Sequence, residues 1–317
     1  MSNNTTTSTR QLTPSLKAKR AFRGLPFRPS VPDEGRHNSY ADGVNRGQGG
    51  ESWVVPGRVL YIDKPYRWTS FDVVNKVRWL LCKHLGTKKL KVGHAGTLDP
   101  LATGVMVVCT GRATKRIDEL QAHTKEYIAT LRLGGTTPSF DLEHPIDAYY
   151  PTEHITREQV EQVLKTFLGR IEQVPPSYSA VKVDGKRAYD LARKEKDVEL
   201  KAKVLVIDEI ELMDCHLGPS PNPSPVREGM SIIPRTGMRN KAFLTSPDTP
   251  QDTNEFPFIT IRVVCSKGTY IRALARDIGQ ALGSGAHLTA LRRTRVGDTR
   301  VEDCLSMEDF PQWLEQQ

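Results

Sequence analysis

The sequence predicts an α+β fold, with strands joined by both hairpins and helices, in one domain over residues 53–300. Three observations carry this. Apolar runs of strand length alternate with capped amphipathic helices across that span. With 317 residues, 38% of them hydrophobic and 26% charged, the chain has the balance of a globular protein and enough length to bury a sizeable core. Two polar segments, 1–52 and 217–254, stand outside the pattern, one before it and one inside it.

Residues 1–52 are rich in Ser, Thr, Asn, Gly and Arg and lack hydrophobic periodicity, so burial cannot offset the entropy of ordering them. They are expected to form a disordered basic tail. Residues 58–62 read as a strand. The stretch from Thr69 to Asp72 is a capping-box-like start for a helix whose apolar stripe is Phe71, Val74, Val77 and Leu81. Residues 105–109 form an apolar run between Gly104 and Gly111, as a buried strand would. Residues 127–133 alternate, with Tyr127, Ala129, Leu131 and Leu133 on one face.

Thr156 opens a second helix, with Gln159 at the capping position and Ile155 and Val160 as a staple. Its buried stripe is Val163, Leu164, Phe167 and Leu168, and Gly169 stops it. Residues 179–183 followed by Asp184 and Gly185 predict a strand and a tight turn leading into a helix over 187–194. Residues 204–212 and 258–265 are further strands. Between them, 217–254 holds seven of the 21 prolines and reads as a flexible Pro-rich insertion. A helix over 270–282 ends at Gly283, and residues 301–317 are expected to be a short C-terminal extension.

No apolar stretch is long enough to span a bilayer, and the N-terminus has no apolar signal core, so the expected setting is the cytoplasm, away from membranes. The five cysteines are scattered and form no Cys-x-x-Cys pair, which indicates free thiols rather than zinc or disulfides. A formal charge of +8 and a pI near 9.2 favour an anionic partner, nucleic acid first. Half of that excess lies in the tail, where eight Lys/Arg face four Asp/Glu.

Within this frame Gly93–Pro100, GHAGTLDP, is a packet of small residues with one histidine and one carboxylate. Proline keeps the residue before it out of the helical region, so Asp99 should sit in an extended or turn conformation. Gly93, Gly96 and Gly104 permit close backbone approach around it. Lys91, His94, Thr97, Thr103, Arg112 and Lys115 crowd the same segment, a density of donors that suits a polyanion.

Residues 93–115, GHAGTLDPLATGVMVVCTGRATK, resemble the catalytic motif of the TruB family of tRNA pseudouridine synthases. Segments 63–70 (DKPYRWTS), 125–129 (KEYIA), 175–183 (PPSYSAVKV) with 185–189 (GKRAY), 265–272 (CSKGTYIR) and 285–294 (GAHLTALRRT) match the same family in order. The resemblance implies a pseudouridine synthase-like mixed, largely antiparallel sheet flanked by helices, with an RNA-clamping loop. It implies a monomer that isomerises uridine 55 in the T stem-loop of tRNA and needs no metal or redox cofactor. Asp99 matches the catalytic carboxylate, as nucleophile or as stabiliser of the sugar after glycosidic cleavage. Tyr127 matches the tyrosine that stacks on the target base and takes part in removing the C5 proton, and Arg272 the arginine that pairs with and aims the carboxylate. Tyr270 and Leu291 match residues enclosing the base, and His94 the one that braces the gap left by base flipping. Lys64, with Pro65, matches a Lys-Pro brace beside the active site. Tyr178, Lys182, Arg187 and Tyr189 fall in the clamp at 175–193, together with Lys186 and Arg193, where they would supply cations and stacking faces. Bacterial members commonly carry a C-terminal RNA-binding domain of the PUA type. The short segment after Gly297 is expected to hold none.

Overall fold

The computed structural model describes residues 57–179, 200–218 and 256–317, together with the backbone of Lys182–Val183 and Lys186–Arg187. The expected tail at 1–52, all but the first two residues of the insertion at 217–254, and Tyr189 lie outside the described residues. In chain order the elements are β1 (Val59–Lys64), α1 (Ser70–His84), β2 (Val92–His94), β3 (Ala102–Thr110), α2 (Ile117–Gln121), β4 (Lys125–Leu133), β5 (Gly135–Thr136) and β6 (Ala148–Tyr149). They continue as α3 (Arg157–Thr166), β7 (Gly169–Gln173), β8 (Lys182–Val183), β9 (Lys186–Arg187), β10 (Lys203–His216) and β11 (Phe258–Cys265). The chain closes with α4 (Ile271–Ala281), β12 (Ala286–Val296), β13 (Thr299–Arg300), β14 (Leu305–Ser306) and α5 (Phe310–Glu315).

Ten strands form one sheet in the order β14-β1-β3-β12-β4-β11-β10-β7, with β2 beside β3 and β13 beside β12. Its pairings are antiparallel except for β14 with β1 and β3 with β12. This is the mixed, largely antiparallel sheet that the sequence led us to expect. Alternation on β4 assigns its two faces. Tyr127, Ala129, Leu131 and Leu133 enter the largest apolar cluster, with Ile259 and Ile261 of β11, Leu164 of α3, and Leu274 and Ile278 of α4. Glu126 points the other way and gathers Arg262, Arg295 and the Thr294 hydroxyl. A second cluster packs Val74, Val77 and Leu81 of α1 on Leu60, Ile62, Met106 and Val108, and is completed by Phe310 and Leu314 of α5. Residues 301–317 are therefore part of a core rather than an appendage.

The helix caps follow their sequence signals. Thr69 and Thr156 each accept from the backbone N–H three residues on, while Asp72 and Gln159 reach back to the cap. Two expected stripe residues are not buried. Phe71 is 63% exposed because the buried face of α1 is centred on Val73, Val74, Val77 and Leu81, and Phe71 lies on its flank. Leu168 is 45% exposed because α3 ends at Thr166 and the chain then turns into β7, where Gly169 takes a φ of 84°. Arg187, the first residue of the helix expected over 187–194, lies instead in strand, paired with Lys182, and residues 188–194 lie outside the described residues.

Candidate active site

The loop between β2 and β3 is pinned from both sides. Ala95 N–H donates to Val107 O, and Ala102 N–H donates to Asp99 O at 3.1 Å, which closes the turn. The Ser70 hydroxyl, at the start of α1, donates to Leu98 O at 2.9 Å and accepts from Leu98 N–H at 2.8 Å. Pro100 O accepts from Arg67 N–H at 2.8 Å and from the Lys64 ammonium at 3.3 Å. Lys64 Nζ donates also to Pro65 O and Trp68 O, so the buried ammonium ties the segment after β1 to the Asp99 turn. Burial pulls its pKa down to about 8, against the raising influence of Asp99. The Lys-Pro pair is thus a brace, and its charge is directed at backbone carbonyls.

Held this way, the Asp99 carboxylate is about one-third exposed and meets Arg272, which projects from the first turn of α4 and is nearly buried. Arg272 Nε lies 2.9 Å from Asp99 Oδ2, and Nη2 donates to Oδ1 at 3.3 Å. The remaining donors fix the guanidinium. Nη2 donates to Tyr178 O at 2.9 Å and Nη1 to Ser139 O at 3.1 Å.

A second carboxylate, Asp141, stands 3.6 Å from Nη1 and is almost wholly buried. Its Oδ1 accepts from the Ser139 hydroxyl at 2.6 Å and from Glu143 N–H at 3.0 Å. Phe140 between them adopts a left-handed φ of 60°. The arginine therefore sits between a buried, fully bonded carboxylate and a half-open one. Nearby, burial and then the Asp141 charge push the Glu143 carboxyl up from its ordinary value.

Asp99, Asp141 and Arg272 line an open cleft whose other wall is Ala102, Leu288 and Leu291. Tyr127 belongs to the apolar cluster with Leu98 and Ala102, and burial raises its phenol, with Asp99 adding to the rise. Tyr270 caps the start of α4, its N–H bonded to Gln173, and its phenol is also raised by burial. Tyr178 places its ring 4.6 Å from that of His144. His94 stands at the head of the loop that carries Asp99, where burial and then the Arg293 charge lower its pKa. Sequence reasoning thus brings Asp99, Arg272, Tyr127, Tyr178, Tyr270 and Leu291 to one place. Lys182 and Arg187 face each other across the β8–β9 hairpin.

Asp141 was not singled out. Its only sequence signal is Thr-Pro-Ser-Phe-Asp, a turn-forming run that ends in a carboxylate. Arg293, described below, was hidden inside a basic-looking segment.

Among the described residues no group of His, Cys, Asp and Glu could hold a metal ion, and no helix is long and apolar enough to cross a membrane. The cysteines are free, and burial lifts the Cys109 and Cys265 thiols to about 11.

Fold and site together define a class. One chain of a crystallised Cbf5-Nop10-Gar1 complex overlays with a TM-score of 0.50 at 28% identity, over 80% of this chain and 54% of that one. The architecture is that of the pseudouridine synthases. Residues 83–220 match the model of the TruB family pseudouridylate synthase N-terminal domain, and residues 272–317 that of the tRNA pseudouridylate synthase B C-terminal domain. Proteins named tRNA pseudouridine synthase B from Phocaeicola vulgatus and Bacteroides thetaiotaomicron are 65% and 62% identical, each over 82% of this chain and 94% of the relative. The one from Deinococcus radiodurans is 41% identical over 80% of this chain and 78% of its own length. The chain belongs to the TruB family of pseudouridylate synthases, and it is an isomerase.

Proposed function

We propose that this protein converts uridine 55 in the T loop of tRNA to pseudouridine, as a monomer in the cytoplasm. The names of its relatives support tRNA as the substrate. The contact of Asp99 with Arg272, which line the same open cleft, carries the catalytic reading.

A base stacked in an RNA loop is out of reach of a recessed carboxylate, so the target nucleotide is flipped into the cleft, with His94 bracing the gap. Asp99 acts at the sugar, as nucleophile or as stabiliser of the cleaved intermediate, and Arg272 holds its carboxylate in place. The uracil turns within the apolar wall of Tyr127, Tyr270 and Leu291 and rejoins through carbon. Nothing is gained or lost from outside, so the reaction calls for no cofactor. The segment 175–193, with Tyr178, Lys182, Arg187 and Tyr189, clamps the RNA. Its anchor at the site is Tyr178 O, which accepts from Arg272.

The test is tritium release from tRNA labelled at C5 of uridine, with pseudouridine mapping by position. Wild type should release label from position 55 only, and Asp99→Asn should keep its tRNA affinity while losing turnover. Release by the Asn variant near the wild-type rate would remove Asp99 from the chemistry. Binding without release by wild type would leave an RNA-binding protein.

A further inference from the structure

Arg293 is 1% exposed, the largest fully buried side chain among the described residues. It lies on β12, opposite Tyr127 of β4 in antiparallel register and opposite Gly104 of β3 in parallel register. Directly paired residues of antiparallel strands share a face, so its side chain enters the interior beside Tyr127. Gly104, with φ of 103°, makes this approach possible, since a Cβ there would fall 2.1 Å from Arg293 O.

The guanidinium reaches across to the catalytic loop. Nε donates to Val105 O at 2.6 Å, Nη2 to Gly96 O at 3.2 Å, and Nη1 to Thr97 O at 3.5 Å. Of five N–H donors, those bonds use three, and Tyr127 is the residue directly opposite Arg293 on β4. No carboxylate pairs with Arg293 among the described residues. A buried cation balanced only by carbonyl dipoles favours any negative charge that develops beside it.

We propose that Arg293 is a positioning residue for pseudouridine formation, tying the Gly96–Thr97 turn ahead of Asp99 to Tyr127 and holding the Tyr127 oxygen ready to accept the C5 proton of the base. This rests on the roles of Asp99 and Tyr127 given above. Once the base has rejoined the sugar through C5, the C5–H bond breaks and its proton passes to the Tyr127 oxygen. The C5–H electron pair restores the C5–C6 double bond as the electrons of the C6–N1 double bond return to N1, and N1 takes a proton from water, to which Tyr127 had given up its phenolic proton to become the acceptor. Burial works against an ionised Tyr127, and Arg293 works for it. The other groups in this setting are Asp99 from the catalytic loop and Cys265 from β11, which face Tyr127, and Lys64 from β1, His94 from β2 and Lys125 from β4, which feel the Arg293 charge.

The experiment measures single-turnover tritium release and tRNA affinity for the full chain as wild type, Arg293→Met, Arg293→Lys, Tyr127→Phe and the two double variants. Arg293→Met should slow release by about a hundredfold, as loss of a positioned donor does, with Kd changed by less than about threefold. Arg293→Lys keeps the cation and should recover about tenfold of that. The rising limb of the pH profile, set by ionisation of the phenol, should move to higher pH in Arg293→Met, because the phenol loses its neighbouring cation. In the Tyr127→Phe background the same change should cost at least about tenfold less.

Equal costs in both backgrounds, or a loss explained wholly by Kd, would overturn the proposal. If Arg293→Met does not fold, the Arg293→Lys cycle decides by the same comparison. An inactive wild type would instead sink the function reading itself, which keeps the two failures distinct.

Discussion

Arg272 binds two carboxylates and two backbone carbonyls at once, and that geometry needs a planar fork. A lysine offers one point charge on a flexible stem and cannot meet Asp99, Ser139 O and Tyr178 O together. Arg272→Lys should therefore lower single-turnover release by roughly a hundredfold while tRNA affinity holds, since aiming, not net charge, is lost. A filter-binding titration beside the release assay separates the two. Asp141→Asn keeps the Ser139 and Glu143 bonds but removes the charge facing Nη1, so a smaller loss of about tenfold is expected. Another residue of β4 offers a pH test. Burial draws the Lys125 ammonium from 10.5 to about 8, although it donates to the carbonyls of Gln121 and His123. Between those values the unfolded chain keeps a proton that the folded chain has released, so stability from this group rises with pH. The stability of wild type relative to Lys125→Met, read by urea unfolding, should climb between pH 7 and 10 by at most about 3 kcal/mol. A flat difference would show that Lys125 titrates normally.

Among the elements, α3 was the best specified and α5 the least. Thr156 caps α3 with its hydroxyl, and Thr156→Ala should cost about 1 kcal/mol without touching activity, measured as a shift in urea midpoint at unchanged m. α5 is short and follows a polar stretch, yet Phe310 is fully buried and packs on α1 and β1. Phe310→Ala should cost about 3–5 kcal/mol, as large-to-small changes in a filled core do. A cost below about 1 kcal/mol would return residues 301–317 to the status of an appendage. β12 escaped the sequence reading for a physical reason. Its burial alternation is broken by two register shifts and by Arg292, Arg293 and Arg295, so the strand looks like a solvated basic stretch.

At the scale of the molecule, charge acts over distances that no single contact covers. Residues 1–52 contribute half of the formal +8, and an exposed basic segment adds affinity for RNA through counterion release. Deleting them should weaken tRNA binding mainly at low salt and flatten the plot of log K against log salt, with turnover at saturating tRNA unchanged. An unchanged slope would mean that the tail does not touch RNA.

The same scale separates what each level of description could supply. Caps, the alternation on β4, the strand at 258–265, the turn at Asp99 and the matching motifs were all legible along the chain. They depend on neighbours within a few residues, where backbone sterics, capping bonds and side-chain periodicity act. Nothing local relates Asp99 to Arg272, separated by 173 residues, and the sequence joined them only through resemblance. Their contact exists because β12 inserts between β3 and β4, which brings the start of α4 and the Ser139–Asp141 turn over the catalytic loop. Asp141 and Arg293 were invisible for the same reason, since a charged residue reads as solvated until sheet order buries it. Phe71 and Leu168 err in the opposite sense, because an apolar side chain is buried only where the fold provides a surface to cover it.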